Sequence, residues 1–176
     1  FVSSREPRKN ITRLLKAYAR LPKILRIEYP LVLVGGPGWH NQEIFQQINS
    51  AAHEGWLKYL GFVPEMDLPA LYAGARAFLY PSLYEGFGLP IAAAMACGVP
   101  VLTSNCSSMP EVAGRAAFLV DPVSEESILH GLINVLDNEI VRTKQKTAGL
   151  LRAAELTWVQ CVKKTVAAYQ LAIDRR

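Results

Sequence analysis

Short, almost wholly apolar runs recur along this chain, each followed by a turn and then by a helical pattern. The runs are Phe1-Val2, Leu31-Val32-Leu33-Val34, residues 56–60, Ala77-Phe78-Leu79, residues 99–102 and residues 116–120. They are too short for helices and mostly lack the alternation of a half-buried strand, so both of their faces must be covered. Helical patterns fill the intervals over 11–20, 42–53, 67–72 and 89–97, with a helical turn at 110–113. Three more helices are expected over 124–136, 139–151 and 158–173. Asn10 and Asp67 stand where N-caps belong, Ser124 begins a helix, Pro90 fits a first helical turn, and Gly98 marks a helix end. This alternation predicts an α/β chain: a Rossmann-like three-layer domain around a parallel sheet of about six strands. No internal repeat or low-complexity linker interrupts it, so residues 1–176 read as one domain.

Such a sheet binds ligands beyond the carboxyl ends of its strands. The loops after Val2, Val34, Leu60, Leu79 and Leu102 are therefore the candidate site. Phe1-Val2 resembles the inside of a strand with no lead-in, which leads us to expect a domain excised from a longer protein.

Composition narrows the function classes. With 51% hydrophobic and 19% charged residues, the 176-residue chain has ample material for one packed core. A net charge of +4 suits a phosphorylated ligand or an anionic surface, but the cations are scattered, so nucleic acid is not the expected partner. Cys97, Cys106 and Cys161 are odd in number and far apart, and His40, His53 and His130 are isolated. Neither a disulfide framework nor a metal site is expected, and a reducing cytoplasm fits best. The uncharged stretch from Gly86 to Pro110 is broken by Pro90, Gly98, Pro100 and Thr103-Ser104-Asn105. Its apolar core of about fourteen residues falls short of the roughly twenty that span a membrane.

Chemistry concentrates at Glu85-Gly86-Phe87-Gly88-Leu89-Pro90. Two glycines allow close backbone approach, and the helix that follows aims its free N–H groups and positive dipole end at the same place, a natural seat for phosphate. A carboxylate there would repel phosphate, so Glu85 more naturally accepts hydrogen bonds from a hydroxyl-rich ligand part such as a sugar. Arg5, Arg8 and Lys9 follow the first strand and face the same crevice, where they would neutralise a diphosphate. Gly35-Gly36-Pro37-Gly38 matches neither a dinucleotide fingerprint nor a P-loop; it is room for a ligand, or a turn.

These motifs together resemble one family. Ser4-Arg5-Glu6-Pro7-Arg8-Lys9-Asn10, Leu31 to Gly35, Tyr59-Leu-Gly-Phe-Val-Pro64 and Tyr80-Pro-Ser-Leu-Tyr-Glu-Gly-Phe-Gly-Leu-Pro90 carry the likeness. Ala94 to Pro100, Thr103-Ser104, Pro110 to Gly114 and Asp121-Pro122 continue it in the same order. The chain is similar to the C-terminal half of retaining GT-B glycosyltransferases of the large mannosyl- and glucosyltransferase family. The resemblance implies a nucleotide-sugar donor domain, with the acceptor, a glycan or lipid-linked species, held by an N-terminal half absent from this chain. It implies that Lys9, helped by Arg8, holds the donor diphosphate as leaving group and that Glu85 touches the donor sugar. The backbone N–H groups after Gly86, at Phe87, Gly88 and Leu89, would cradle diphosphate and sugar, and the loop at Phe62 and Val63 would contact the nucleobase. No metal or cofactor is implied, because cationic side chains and a helix N-terminus do that electrostatic work. A cytoplasmic protein, peripheral on the inner membrane face, is the expected setting.

Two positions depart from the pattern. Ser3 stands where glycine is usual, and Ala93 replaces the second glutamate, which would grip the ribose. A hydrogen bond to a charged acceptor is worth roughly 1.5–3 kcal/mol, so donor affinity is expected to drop on the order of ten- to a hundredfold. The leading expectation is the donor half of a hexosyltransferase, with Glu6-Pro7-Arg8-Lys9-Asn10 inclining it toward mannose from GDP-mannose. The alternative is a degenerate domain, weak in donor binding, acting as a structural or interaction module. A sugar-nucleotide epimerase shares the two-domain layout, but no histidine or acid pair at catalytic spacing stands out.

Overall fold

The apolar runs do form parallel strands. The structure, a computed structural model, describes residues 1–36 and 42–174. Strands β1 (Leu31–Val34) and β2 (Leu57–Gly61) pair in parallel, Leu31 opposite Leu57 and Leu33 opposite Tyr59. Strands β3 (Phe78–Tyr80), β4 (Val101–Ser104) and β5 (Ala117–Val120) form a second parallel ladder in that order. The expected sheet of about six strands is thus five strands in two ladders among the described residues. Residues 1–3 lie between them in role. Their backbone exchanges three hydrogen bonds of 2.9–3.0 Å with Val32 and Val34, yet this makes a single bridge, Val2 to Val34, and not a strand. On the other side Phe1 meets Tyr80 ring to ring at 5.8 Å, so side chains rather than a ladder join the two halves.

Helices cover the inner strands β3 and β4 on both faces because these are buried throughout. All four residues of β4 are buried, with α5 (Leu89–Ala96) and α6 (Met109–Ala113) packed against it as well as α7 (Glu125–Asp137). Ile91, Met95, Leu102, Ile128 and Leu132 fill the interior between them. Helix α1 (Ile11–Ala19) lies against α3 (Gln42–His53) and α7, and α8 (Glu139–Glu155) against α5. Gly35 closes the turn after β1 with φ 134°, and a Cβ there would meet the Ser3 carbonyl oxygen at 2.0 Å. Gly35 therefore serves a tight turn at the carboxyl edge, whereas nothing lies within 4 Å of where a Cβ on Gly36 would stand; Pro37 and Gly38, like His40, lie outside the described residues.

Neither expected cap forms, while two other residues do cap their helices. Ser124 accepts from the Ser127 N–H at 3.1 Å, and Asn138, not anticipated, caps α8 through Val141 at 3.1 Å. Asp67 makes no side-chain cap for α4 (Leu68–Ala73), because a 3-10 turn, Glu65–Asp67, runs straight into that helix in right-handed geometry. Asn10 does not cap α1 either: its φ is 59°, and its side chain turns elsewhere. Helix α2 (Lys23–Glu28) was not anticipated, since it buries only Leu25 and so shows no apolar stripe.

Helix α9 (Trp158–Asp174) buries no residue. Trp158, Val159, Val162, Val166, Tyr169 and Ile173 are all exposed. These apolar side chains are uncovered, so the helix contributes little to this fold. A chain ended at Thr157 is expected to melt within about 2 °C of the longer chain. A calorimetric loss of many degrees would mean that α9 packs in solution.

Candidate functional site

The 3-10 turn Pro7–Lys9 delivers two cations to the carboxyl edge of the strands, and the loop after β3 delivers an acid to meet them. Lys9 Nζ donates to Glu85 Oε1 at 2.7 Å, and Arg8 Nη1 donates to Glu85 Oε2 at 2.9 Å. Lys9 Nζ also donates to the Tyr80 hydroxyl at 2.6 Å, while Arg8 Nε donates to Glu6 Oε2 at 2.8 Å. The Lys9 and Glu85 side chains are only 7% and 8% exposed, whereas Arg8 is 43% exposed. Lys9, Arg8 and Glu85, chosen from sequence, are therefore in direct contact across 76 residues of chain. Tyr80 joins them unanticipated, although it opens the motif that carries Glu85.

Burial pushes the Glu85 carboxyl up, but the hydrogen bond from Lys9 and its charge more than reverse this, and Glu85 titrates below the ordinary 4.5. Burial and the adjacent Glu85 push the Tyr80 phenol far up, so it stays neutral. Glu6 and Glu85 formally balance Arg8 and Lys9, so the cluster itself carries little net charge. Arg8 is its exposed member and holds Glu6 and Glu85 at once.

Hydrogen bonds hold the approach of both segments. Asn10 Nδ2 donates to the carbonyls of Pro81 at 2.9 Å and Pro122 at 2.7 Å, and Leu83 N–H donates to the Arg8 carbonyl at 2.7 Å. Two buried carbonyl acceptors outweigh the cap that Asn10 was expected to make, and the left-handed backbone aims the amide at them. Ser107 Oγ accepts from Glu85 N–H at 3.2 Å and donates to Glu85 O at 2.8 Å, and Ser108 Oγ lies 2.9 Å from the same carbonyl. The serines of the loop after β4 thus pin the backbone of Glu85, a role no short motif announces.

Gly88 and Gly86 differ in kind. Gly88 is N-cap of α5 at φ 101°, and a Cβ there would press on Ile91 Cδ1 at 3.1 Å, so the fold requires glycine. Gly86 has no positive φ and nothing within 4 Å of where its Cβ would stand. Nothing inside the protein demands a glycine at 86. Among the described residues the N–H groups of residues 86–89 donate no hydrogen bond, and they front the α5 N-terminus with Phe87 and Leu89 exposed. Ala93 is exposed one turn further along α5, with space around it. Phe62 and Val63 sit on the loop after β2, Phe62 80% exposed. Among the described residues no three His, Cys, Asp or Glu side chains converge as a metal site requires, and no helix is long and apolar enough to cross a membrane.

Removing Lys9 leaves Glu85 buried with one partner, so Lys9→Met is expected to cost about 3 kcal/mol near neutral pH. Because the folded pKa of Glu85 lies below 4.5, the stabilisation from its charge is complete above that pH and drains away as pH falls through the folded value. Urea unfolding of both proteins should show a gap that narrows in acid; a gap independent of pH would refute the pairing.

The chain matches the family described as glycosyl transferases group 1 over residues 1–152. O-antigen chain mannosyltransferase B of Escherichia coli is 46% identical over 97% of this chain and 45% of its own length. The MMP alpha-(1->4)-mannosyltransferase of Mycolicibacterium hassiacum is 33% identical over 96% of this chain and 41% of its own. Among solved structures, Anabaena Alr3699/HepE in complex with UDP and glucose has a TM-score of 0.78 at 25% identity, covering 97% of this chain and 47% of that one. The chain therefore spans less than half the length of these relatives. The parallel α/β fold, the match along most of the chain and the identity to named mannosyltransferases lead to one conclusion: this chain belongs to the glycosyl transferases group 1 family.

Proposed function

We propose that this chain is the donor-binding half of a retaining hexosyltransferase, with mannose from GDP-mannose as the favoured donor. The observation that carries the reading is the convergence of Lys9 and Arg8 on Glu85 beside the open N-terminus of α5. The relatives named mannosyltransferases support it, as does a structural neighbour solved with UDP and glucose. An N-terminal half, outside this chain, would bind a glycan or lipid-linked acceptor at the inner membrane face. The degenerate-module alternative finds no support among these relatives.

On this reading the donor diphosphate displaces Glu85 from Arg8 and then from Lys9. Both cations and the N–H groups of residues 86–89 take the charge that develops as the diphosphate leaves. Glu85, freed from its cations, accepts hydrogen bonds from hexose hydroxyls and orients the sugar. Gly86 admits the ligand to the backbone, which gives a purpose to a glycine the fold does not need. These groups supply the electrostatic stabilisation without calling on a metal. The exposed Ala93 leaves the ribose without its acid.

Calorimetric titration with GDP-mannose, UDP-glucose and ADP-glucose tests the reading, and silence with all three at millimolar concentration would overturn it. Gly86→Ala should leave the melting temperature nearly unchanged while weakening donor binding. Ala93→Glu should tighten donor binding on the order of tenfold or more by restoring a charged acceptor for the ribose hydroxyls.

A further inference from the structure

Tyr80 belongs to the Lys9–Glu85 cluster without carrying a charge. It ends β3, is wholly buried, and is held from several sides. Its ring lies 5.8 Å from that of Phe1 and 5.6 Å from that of Phe78. Its backbone pairs with Thr103 across the ladder, and its carbonyl accepts from Thr103 Oγ1 at 2.9 Å. The hydroxyl at the end of this anchored ring accepts from Lys9 Nζ at 2.6 Å. Burial and the adjacent Glu85 keep it protonated.

An ammonium has three N–H donors. In Lys9 one meets Tyr80 and one meets Glu85, and the third meets no partner among the described residues. The two acceptors differ in kind. The Glu85 carboxylate cancels the charge of Lys9, whereas the phenol hydroxyl orients the ammonium and leaves its charge intact. Arg5, the third cation of this loop, takes no part: its guanidinium lies over the Tyr59 and Phe45 rings, and its Nε and Nη1 are buried without a partner. Lys9 itself is a point charge on a flexible four-carbon stem, so its direction depends on the acceptors that hold it. On the donor-site reading, which this inference presupposes, Glu85 turns to the hexose hydroxyls. Tyr80 is then the one protein acceptor left on Lys9 among the described residues.

We propose that Tyr80 is a positioning residue: its neutral hydroxyl keeps the Lys9 ammonium in place when Glu85 leaves it for the hexose, so that an uncancelled charge faces the diphosphate. Tyr80 acts through Lys9 and touches no reacting atom. In the free protein Glu85 holds Lys9 with or without the hydroxyl, so the loss of the hydroxyl falls on the sugar-nucleotide complex. A sugar-free diphosphate brings no hexose to take up the carboxylate, and Glu85 then keeps a share of Lys9.

Tyr80→Phe removes the hydroxyl and keeps the ring against Phe1 and Phe78. Calorimetry with GDP-mannose and GDP, and with UDP-glucose and UDP, compares it with the parent, and thermal melts confirm folding. For whichever pair the parent binds, Tyr80→Phe should weaken the sugar nucleotide roughly tenfold and the sugar-free diphosphate by no more than about threefold. In a Lys9→Met background, with no ammonium to hold, adding Tyr80→Phe should change sugar-nucleotide affinity by less than about twofold. Glu85→Ala, which leaves Lys9 to Tyr80 alone, should bind the sugar-free diphosphate at least as tightly as the parent; a drop of about tenfold or more would show that Glu85 places Lys9 and would overturn the assignment. Equal loss for sugar nucleotide and diphosphate, or the same loss with and without Lys9, would make the hydroxyl a packing contact. Unchanged affinities with a lowered melting temperature would do the same. Silence of the parent toward all four ligands would instead sink the donor-site reading, and this proposal with it.

Discussion

The buried pair of Lys9 and Glu85 organises this protein. It joins a turn near the start of the chain to a loop 76 residues later, and through them the two halves of the sheet. Burying two charges rarely adds net stability, since desolvation offsets much of the attraction. What such a pair adds is definition: once the charges are inside, each must find the other, and one arrangement of the loops satisfies both. Asn10, Leu83, Ser107 and Ser108 complete that arrangement with neutral hydrogen bonds to backbone carbonyls and N–H groups. The site is rigid in its backbone and adjustable in one exposed side chain, Arg8.

That combination suits a ligand bearing both charge and hydroxyls. In the absence of donor, acid and cations satisfy one another, and the cluster has little net charge to repel or trap passing ions. On the proposed reading, a diphosphate would change the partners without changing the frame. The glycines show the same division of labour: Gly88 is required by the backbone itself, while Gly86 is required by nothing inside the chain.

Much of this was legible before any coordinates. The apolar runs and their spacing named the five strands to within two residues, because the inner strands β3 and β4 are buried throughout and even the outer ones keep mostly apolar side chains. Lys9, Arg8 and Glu85 were legible because their residue types announce charge chemistry beside a glycine-rich turn. Other features were hidden for identifiable reasons. Helix α2 buries a single side chain, so it leaves no periodic trace. Asn10 looked like a cap because that is what asparagine before an apolar helix usually is; its left-handed backbone and two distant carbonyl partners follow from the packing of loops after β3 and β5. The sheet was read as continuous, and the interruption at residues 1–3 reflects a single bridge where a full ladder was expected.

Arg5 marks the boundary most clearly. From residue order alone it belonged with Arg8 and Lys9 as one of three cations in a basic loop. The local turn sends the later two toward Glu85, and packing against Tyr59 and Phe45 takes Arg5 the other way. Sequence by itself determined the layers, the order of the loops and the types of group available at the carboxyl edge, since hydrophobic period and turn chemistry are local properties. Tertiary structure alone decided which cation meets which acid, which glycine the backbone needs and which buried donors remain unmet. Those are distances between residues far apart in the chain, and no local pattern encodes them.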